Sequence, residues 1–441
     1  MTVHTSPIML SIEPVGLRPL PLAWLAAAVF VVSAGYGALL PLLPAWLASM
    51  MTGGTATEAA RHVGLLAGVY SAGVLVGAPL WGVVADRTGP GRVVIIGLVG
   101  YVSSLLLLLV PALASLWGIY ALRGTTGFFV AAVVPIVSAL VAEYTPTEQR
   151  ARRFAWLSAM SLLGFLFGPA LSAVADGVGS WAGEGAVPSA LSVRIVLVLS
   201  ALLGAMMMLG LAVTLPASRA PDAAAQNNPV TSTQGRPAAL WWINGALLFV
   251  LAGFELGIVL QGQQHANLSL RQVALMFAGC SLVMLGINAL LFFTALLEKI
   301  SARTLIGTGL ILAMVGLAVM AGHRSDAWMY LGVSLTSAGT GLVLPVIAYL
   351  AAGASPQTLG ATMGGLAAAA GLGQTLGSAI GGWLFGALAQ RSFGWLTVPL
   401  VAMLMLLLAR PLWWSVVPAE SARRPTGRAG KGRQGHMEGD Q

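Results

Sequence analysis

Charge is what this sequence has least of. Only 8% of its 441 residues are charged and 57% are hydrophobic, whereas a soluble globular chain carries roughly 25% charged residues. A mean hydropathy of +0.87 over that length leaves too few polar groups to clothe a water-facing surface. The scarcity excludes a soluble enzyme, a nucleic-acid binder and a disordered scaffold, and it marks a polytopic membrane protein. Cysteine is nearly absent: Cys280 stands alone in an apolar stretch. No disulfide or thiolate metal site forms within one such chain, and a buried structural thiol is the expected state. The five histidines (4, 62, 265, 323 and 436) are scattered through expected loops and termini, a pattern that offers no metal site. No phosphate-binding loop occurs, which removes ATP as an energy source. Gly371-x-Gly373-x-x-x-Gly377 has Leu376 where a dinucleotide fingerprint needs its third glycine, and no strand precedes it. No cofactor is expected. Alternating strands are missing, which disfavours a β-barrel. A charged leader with a small-residue cleavage site is missing too, since the first 20 residues hold one arginine, Arg18. The first apolar segment is therefore expected to be a retained helix.

What the chain has instead is long apolar runs. A bilayer core of about 30 Å needs around 20 apolar residues per helix. Twelve such runs lie near 22–46, 63–84, 93–113, 117–142, 154–175, 190–215, 239–260, 273–297, 304–322, 328–351, 358–388 and 393–415. The 55 glycines suit close helix packing in lipid. Trp24, Trp46, Trp117, Trp241, Trp242, Trp328 and Trp395 stand near run ends, where an aromatic belt would sit. A polar break at 217–238 divides the runs six plus six. The expected organisation is an N-terminal segment 1–21, a six-helix bundle 22–216, a linker 217–238, a second bundle 239–417 and a basic tail 418–441.

The net charge of +8 signals topology rather than nucleic acid. The tail holds Arg423, Arg424, Arg428, Lys431 and Arg433, suited to a cytoplasmic segment beside anionic lipid headgroups. With the N-terminus inside, cytoplasmic segments also hold Arg18, Arg87, Arg92, Arg150, Arg152, Arg153, Arg219, Arg236, Lys299, Arg303 and Arg410. The other side holds Arg61, Arg194, Arg271, Arg324 and Arg391. The bias predicts both termini in the cytoplasm of a plasma or inner membrane.

The halves repeat. Val133-Val134-Pro135-Ile136-Val137 returns 210 residues later as Val343-Leu344-Pro345-Val346-Ile347, and Thr145-Pro146 returns as Ser355-Pro356. Gly164-x-x-x-Gly168-Pro169 is similar to Gly373-x-x-x-Gly377-Ser378 at an offset of 209, and Ala34-Gly35-Tyr36 to Ala252-Gly253-Phe254. Several matches in order at nearly constant spacing imply duplication. Two similar six-helix bundles side by side, with a site between them, are a transporter's architecture.

The loop after the second run reads Gly82-Val-Val-Ala-Asp86-Arg87-Thr-Gly89-Pro-Gly-Arg92. Here the sequence resembles the major facilitator superfamily, and the resemblance extends over all twelve runs. It implies an all-α fold of two pseudo-symmetric six-helix bundles. It also implies that Asp86 faces the start of run 11, Ser355-Pro356, where a capping residue and a first-turn proline favour a helix N-terminus. A carboxylate at that positive dipole end would latch the halves together; the alternative is a topology charge alone. The second copy, Glu298-Lys299-x-x-x-Arg303, is degenerate. Arg123-Gly-Thr-Thr-Gly127-Phe-Phe-Val-Ala131 resembles the family's second motif, with Val333 as the repeat counterpart of Arg123. An arginine inside a span needs a partner. Arg123 either braces the bundle by hydrogen bonds to carbonyls around Gly35–Gly37 or serves proton coupling and substrate contact. Gly164, Gly168 and Pro169 resemble the later part of the antiporter motif of exporting members, although Ser172 stands where a glycine is common; close packing accounts for the same residues. Glu255 is the one acid well inside a run, and run 1 lacks the acid that several drug–proton antiporters keep there. Glu255 is thus a candidate proton carrier or half of a static ion pair.

The resemblance implies a cavity lined by runs 1, 4, 7 and 10, with Tyr36, Arg123, Phe128, Phe254, Glu255 and, from run 11, Gln374 as candidates. Aromatic rings with sparse polar groups suit amphipathic organic molecules better than sugars. The expected function is secondary active, proton-coupled efflux of a drug or metabolite, of multidrug antiporter type, by a monomer that is no enzyme and uses no metal. The alternatives are an importer or uniporter of the same fold, and a sensor or scaffold that keeps the fold without transport. The sequence further predicts that Arg123 and Glu255 sit at similar membrane depth and influence one another across the cavity.

Overall fold

A computed structural model describes residues 19–51, 55–113, 115–143, 145, 147–181, 190–215, 237–264, 269–294, 296–323, 325–352 and 359–409. The expected linker, the basic tail, Pro146 and Ser355-Pro356 lie wholly or mostly outside the described residues. The described elements are helical. The first span is α1 (Pro19–Leu39), a 3-10 turn at Leu40–Leu42 and α2 (Leu43–Met50); Pro41 and Pro44, which have no N–H to donate, break it. Next, α3 (Ala56–Thr88) opens on a capping box. Thr55 Oγ1 accepts from the Glu58 N–H at 3.2 Å, and Glu58 Oε2 accepts from the Thr55 N–H at 2.9 Å. It closes on Gly89, whose φ of 93° suits a residue without Cβ, and Pro90 begins α4 (Pro90–Leu107). Ser115 caps α5 (Leu116–Val130). Beyond it the bonds tighten to three-residue steps (Ala132 N–H to Phe129 O, 3.0 Å; Val133 N–H to Val130 O, 2.9 Å), and α6 (Val134–Glu143) restarts at the proline. Two long helices, α7 (Thr147–Trp181) and α8 (Ala190–Thr214), complete the first half.

The second half comprises α9 (Pro237–Gln264), α10 (Leu270–Phe293), the one-turn α11 (Leu296–Lys299), α12 (Ala302–Gly322), α13 (Asp326–Ala352) and α14 (Leu359–Leu388). A 3-10 turn at Ala389–Arg391 and the one-turn α15 (Ser392–Trp395) lead into α16 (Thr397–Ala409). Pro345 lies inside the continuous α13, whereas its repeat partner Pro135 follows a full break. Among the described residues eleven helical stretches are long and apolar enough to cross a membrane, one fewer than the twelve expected. The reason is that the last, Gly364–Ala409, runs 46 residues. Straight, it would measure about 69 Å at 1.5 Å per residue, more than two bilayer cores of about 30 Å. The turn at 389–396 interrupts it, so that α14 and α16 are separate helices where runs 11 and 12 were expected.

Helix pairing repeats between the halves. α1 lies on α7 as α9 lies on α14; α3 lies on α5 as α10 lies on α13; α4 lies on α8 as α12 lies on α16. Across the halves, α3 meets α14 and α7 meets α10, a single pairing seen twice when the halves are exchanged. The glycine repeat at offset 209 has a packing cause. A Cβ on Gly164 would lie 2.5 Å from Phe30 O, and one on Gly168 would lie 2.7 Å from Ala34 O. Gly373 and Gly377 press in the same way on Gly245 and Phe249 of α9. Ser172 Oγ, at the motif's missing glycine, donates to Ala38 O of α1. Outward, Leu202, Leu209, Val213 and Phe293 stand exposed, a surface that suits lipid and not water. Trp117, Trp242, Trp328 and Trp395 are exposed as an aromatic belt requires, but Trp46 is buried in the core.

The α3–α14 seam is closed at one end only. Thr57 Oγ1 donates to Gly386 O at 3.0 Å. A Cβ on Gly64 would lie 2.7 Å from Gly382 Cα, and one on Gly371 would lie 3.0 Å from Leu75 Cδ1. Past Leu75 the described glycines on the seam are open. Added Cβ atoms on Gly82 and Gly364 would meet nothing within 4 Å, and Pro79 and Asp86 are exposed. Among the described residues the halves therefore touch where α3 begins and α14 finishes, and part between Gly82 of α3 and Gly364 of α14.

Candidate functional site

The first half carries a caged cation. Glycines let α3 and α5 touch: Gly127 abuts Tyr70 O, Gly73 abuts Gly124 O, and a Cβ on Gly77 would lie 2.7 Å from Phe128 O. That approach lays Tyr70 over Arg123, with the guanidinium carbon 4.7 Å from the ring centroid. Tyr36 of α1 forms a second wall at 5.9 Å. The two rings are 4.7 Å apart and tilted by 36°. Phe165, one residue past Gly164, meets Tyr36 edge-on at 5.6 Å, so the glycine motif of α7 also fixes the Tyr36 ring. Tyr101 of α4 reaches Gly35 with its hydroxyl, and all three tyrosines lie in electrostatic range of Arg123.

Arg123 is 1% exposed, and its Nε and Nη2 have no hydrogen-bond partner. The expected bonds to carbonyls around Gly35–Gly37 do not engage those atoms, because the tyrosine rings occupy the space between α5 and α1. No carboxylate among the described residues forms an ion pair with it. The energetics leave a deficit. An arginine inside a span costs about 2.5–3.5 kcal/mol on insertion scales, and each unmade buried hydrogen bond adds roughly 1–3 kcal/mol. A desolvated aromatic face returns about 2 kcal/mol.

The second half supplies Glu255 on α9, partly exposed and in electrostatic range of Tyr36 and of the buried thiol of Cys280. Arg123 and Glu255 form no ion pair with each other in this conformation; Tyr36 is the group in range of both. Phe254 is wholly buried, and Gln261, two turns on, is 1% exposed with both amide atoms unpartnered. Gln374, partly buried, lies on the arc of α14 between the glycines facing α9 and those facing α3. Phe128 turns from this group: its ring packs 5.4 Å from that of Trp81 on α3, whose Nε1 donates to Phe128 O at 2.9 Å. Sequence reasoning passed over Tyr70, Tyr101, Phe165 and Gln261. The usable signal was a tyrosine inside each of the first three apolar runs, Tyr36, Tyr70 and Tyr101.

The loop motif lies at the parted end. Asp86, Arg87 and Arg92 are exposed, Gly89 is buried in the turn, and Gly82 faces open space. The other half of the expected latch with Asp86, Ser355-Pro356, falls outside the described residues.

A sequence profile of the Major Facilitator Superfamily matches residues 25–291 and 263–435. The class B tetracycline resistance protein of Escherichia coli is 31% identical over 153 residues, 34% of this chain and 34% of that protein. The quinolone resistance protein NorA of Staphylococcus aureus (strain Mu50 / ATCC 700699) is 27% identical over 143 residues, 32% of this chain and 35% of its own length. The chain thus spans about a third of the length of these curated relatives. Among solved structures, that of the human organic anion transporter MFSD10 (TETRAN) matches with a TM-score of 0.66 at 20% identity, over 88% of this chain and 100% of that one, a likeness of fold.

Proposed function

The chain belongs to the Major Facilitator Superfamily, and we propose that within it this protein is a secondary active exporter of a small amphipathic organic compound, driven by proton exchange. One observation carries the reading: Tyr36 of the first half lies in electrostatic range of both Arg123 and Glu255, a cation and an acid belonging to opposite halves. Motion of one half past the other changes those interactions, so a proton on Glu255 and a conformational step become linked. The arginine bias of the loops supports an orientation with both termini in the cytoplasm of the plasma membrane. In that orientation the closed end of the α3–α14 seam is the outer end, and the conformation is open to the cytoplasm, ready to load an export substrate. Relatives named for resistance to tetracycline and to quinolones favour organic cargo and export over sugar import. The catalytic requirement is only for two alternating conformations, which a monomer satisfies without metal or cofactor.

The test is uptake of tetracycline, norfloxacin and ethidium into inside-out vesicles holding the full chain and given an acid interior. At least one compound should accumulate, and nigericin should collapse the accumulation. Glu255→Gln should lose gradient-driven accumulation by 10-fold or more yet keep exchange of labelled for unlabelled compound. Accumulation that ignores the proton gradient, or that occurs only in right-side-out vesicles, overturns the reading.

A further inference from the structure

We propose that the Arg123 guanidinium, walled by Tyr36 and Tyr70, is the receptor for a carboxylate on the transported compound, so that the cargo is an amphipathic organic anion. The inference rests on the reading of the protein as a transporter whose cargo enters between the halves. The two orphaned nitrogens are Nε and Nη2. Their N–H bonds point from the same edge of the guanidinium plane, and that edge is the fork that grips both oxygens of a carboxylate. A lone unsatisfied nitrogen would say little; this pair has the geometry of a ligand.

Among the described residues no carboxylate pairs with Arg123. Glu58 is engaged in its capping box, Asp86 is exposed at the parted end of α3, and Asp326 accepts a hydrogen bond from Gln272 at 3.2 Å. Glu255, the acid inside a span nearest this region, is in range of Tyr36 but forms no pair with Arg123. The walls set what else the ligand must be. Tyr36 and Tyr70 present ring faces and phenol hydroxyls, and Phe165 backs Tyr36, so a flat aromatic body beside the carboxylate finds apolar contact while its oxygens meet N–H and O–H donors. The guanidinium is almost wholly covered, so the ligand arrives as one wall turns aside. Tyr36, which also lies toward Glu255, is the wall on the side of the second half.

The experiment uses the purified full chain in lipid nanodiscs and two probes of nearly equal shape, 2-naphthoate and neutral 2-naphthamide. The wild type should bind naphthoate at least 10-fold more tightly than the amide, and naphthoate alone should raise its thermal midpoint. Arg123→Gln should erase the preference, leaving amide binding unchanged. Arg123→Lys, which keeps the charge but not the fork, should lose at least 3-fold for naphthoate and nothing for the amide; it decides the matter if Arg123→Gln elutes as aggregate. Equal affinity for the two probes in the wild type, no binding of naphthoate, or a preference that survives Arg123→Gln overturns the proposal. An equal loss for both probes in Arg123→Gln also overturns it and points to Glu255 as the partner of Arg123. Vesicle uptake separates this from the transport reading. Naphthoate bound through Arg123 but never carried refutes transport and leaves the subsite. Proton-driven movement of ethidium with no carboxylate preference refutes the subsite and leaves transport.

Discussion

Arg123 shows how much one residue's surroundings decide. Its charge stood out in the sequence because an arginine inside an apolar run is rare, and nothing about the repeat requires it: Val333 holds the matching place. Its neighbours did not stand out. Tyr70 and Tyr101 read as ordinary apolar positions, since no single run records which residue of the next helix faces it. The consequence is a stability prediction. In this conformation the guanidinium has two unmade hydrogen bonds, and its aromatic contacts offset only part of the burial cost. Arg123→Met, of similar length and neutral, should therefore stabilise the detergent-solubilised protein, by on the order of 1–4 kcal/mol if replacement of buried ion pairs is a guide. The thermal midpoint in the absence of any ligand measures this. A fall in the midpoint would mean that Arg123 has a partner in the resting protein.

At the scale of helices, the repeat was legible because packing needs the same small residues twice. Gly164 and Gly168 lie on α1, and Gly373 and Gly377 lie on α9, for the same steric reason. The α3–α14 seam was not legible. Gly64, Gly68, Gly382 and Gly386 are spread among many glycines, and only the fold shows that these two helices are neighbours. Run 12 was legible in composition although its helix is continuous with run 11 by hydropathy, whereas the inward turn of Trp46 was hidden because a tryptophan near a run end reads equally as belt or core. The seam yields a direct test. Thr57 donates to the carbonyl of Gly386 at 3.0 Å. Thr57→Cys with Gly386→Cys, in a Cys280→Ser background, should cross-link under copper phenanthroline, arrest transport, and recover when dithiothreitol is added. Gly382→Leu should reduce the yield several-fold, because the leucine would overlap the backbone of Gly64 at a cost of about 1–3 kcal/mol. Full cross-linking in the Gly382→Leu background would show that the seam does not close as described.

For the molecule as a whole, the proposed alternating access makes closure at one end and parting at the other a single equilibrium. The parted end carries Gly82, Asp86, Arg87, Gly89 and Arg92, all on the α3–α4 turn or beside it; Gly82 faces open space and the three charged side chains are exposed. The expected partner of that loop, Ser355-Pro356 ahead of α14, lies outside the described residues, and the proposed alternating access brings it to Asp86 when the other end opens. In that second state Asp86 at the α14 N-terminus would contribute on the order of 1 kcal/mol through the helix dipole. Losing it changes the ratio of the two states by about five-fold, since 1.4 kcal/mol corresponds to ten-fold. Asp86→Asn should therefore shift the population toward the conformation described here. The cysteine pair at positions 57 and 386 reports the shift independently of transport. In the Asp86→Asn background its cross-linking should run faster by a few-fold while transport falls and the amount of protein in the membrane stays constant. A cross-linking rate unchanged by Asp86→Asn, with transport intact, would reduce Asp86 to a topology charge. An unchanged rate with transport lost would place its role in the path of the cargo and not in the balance between the two ends.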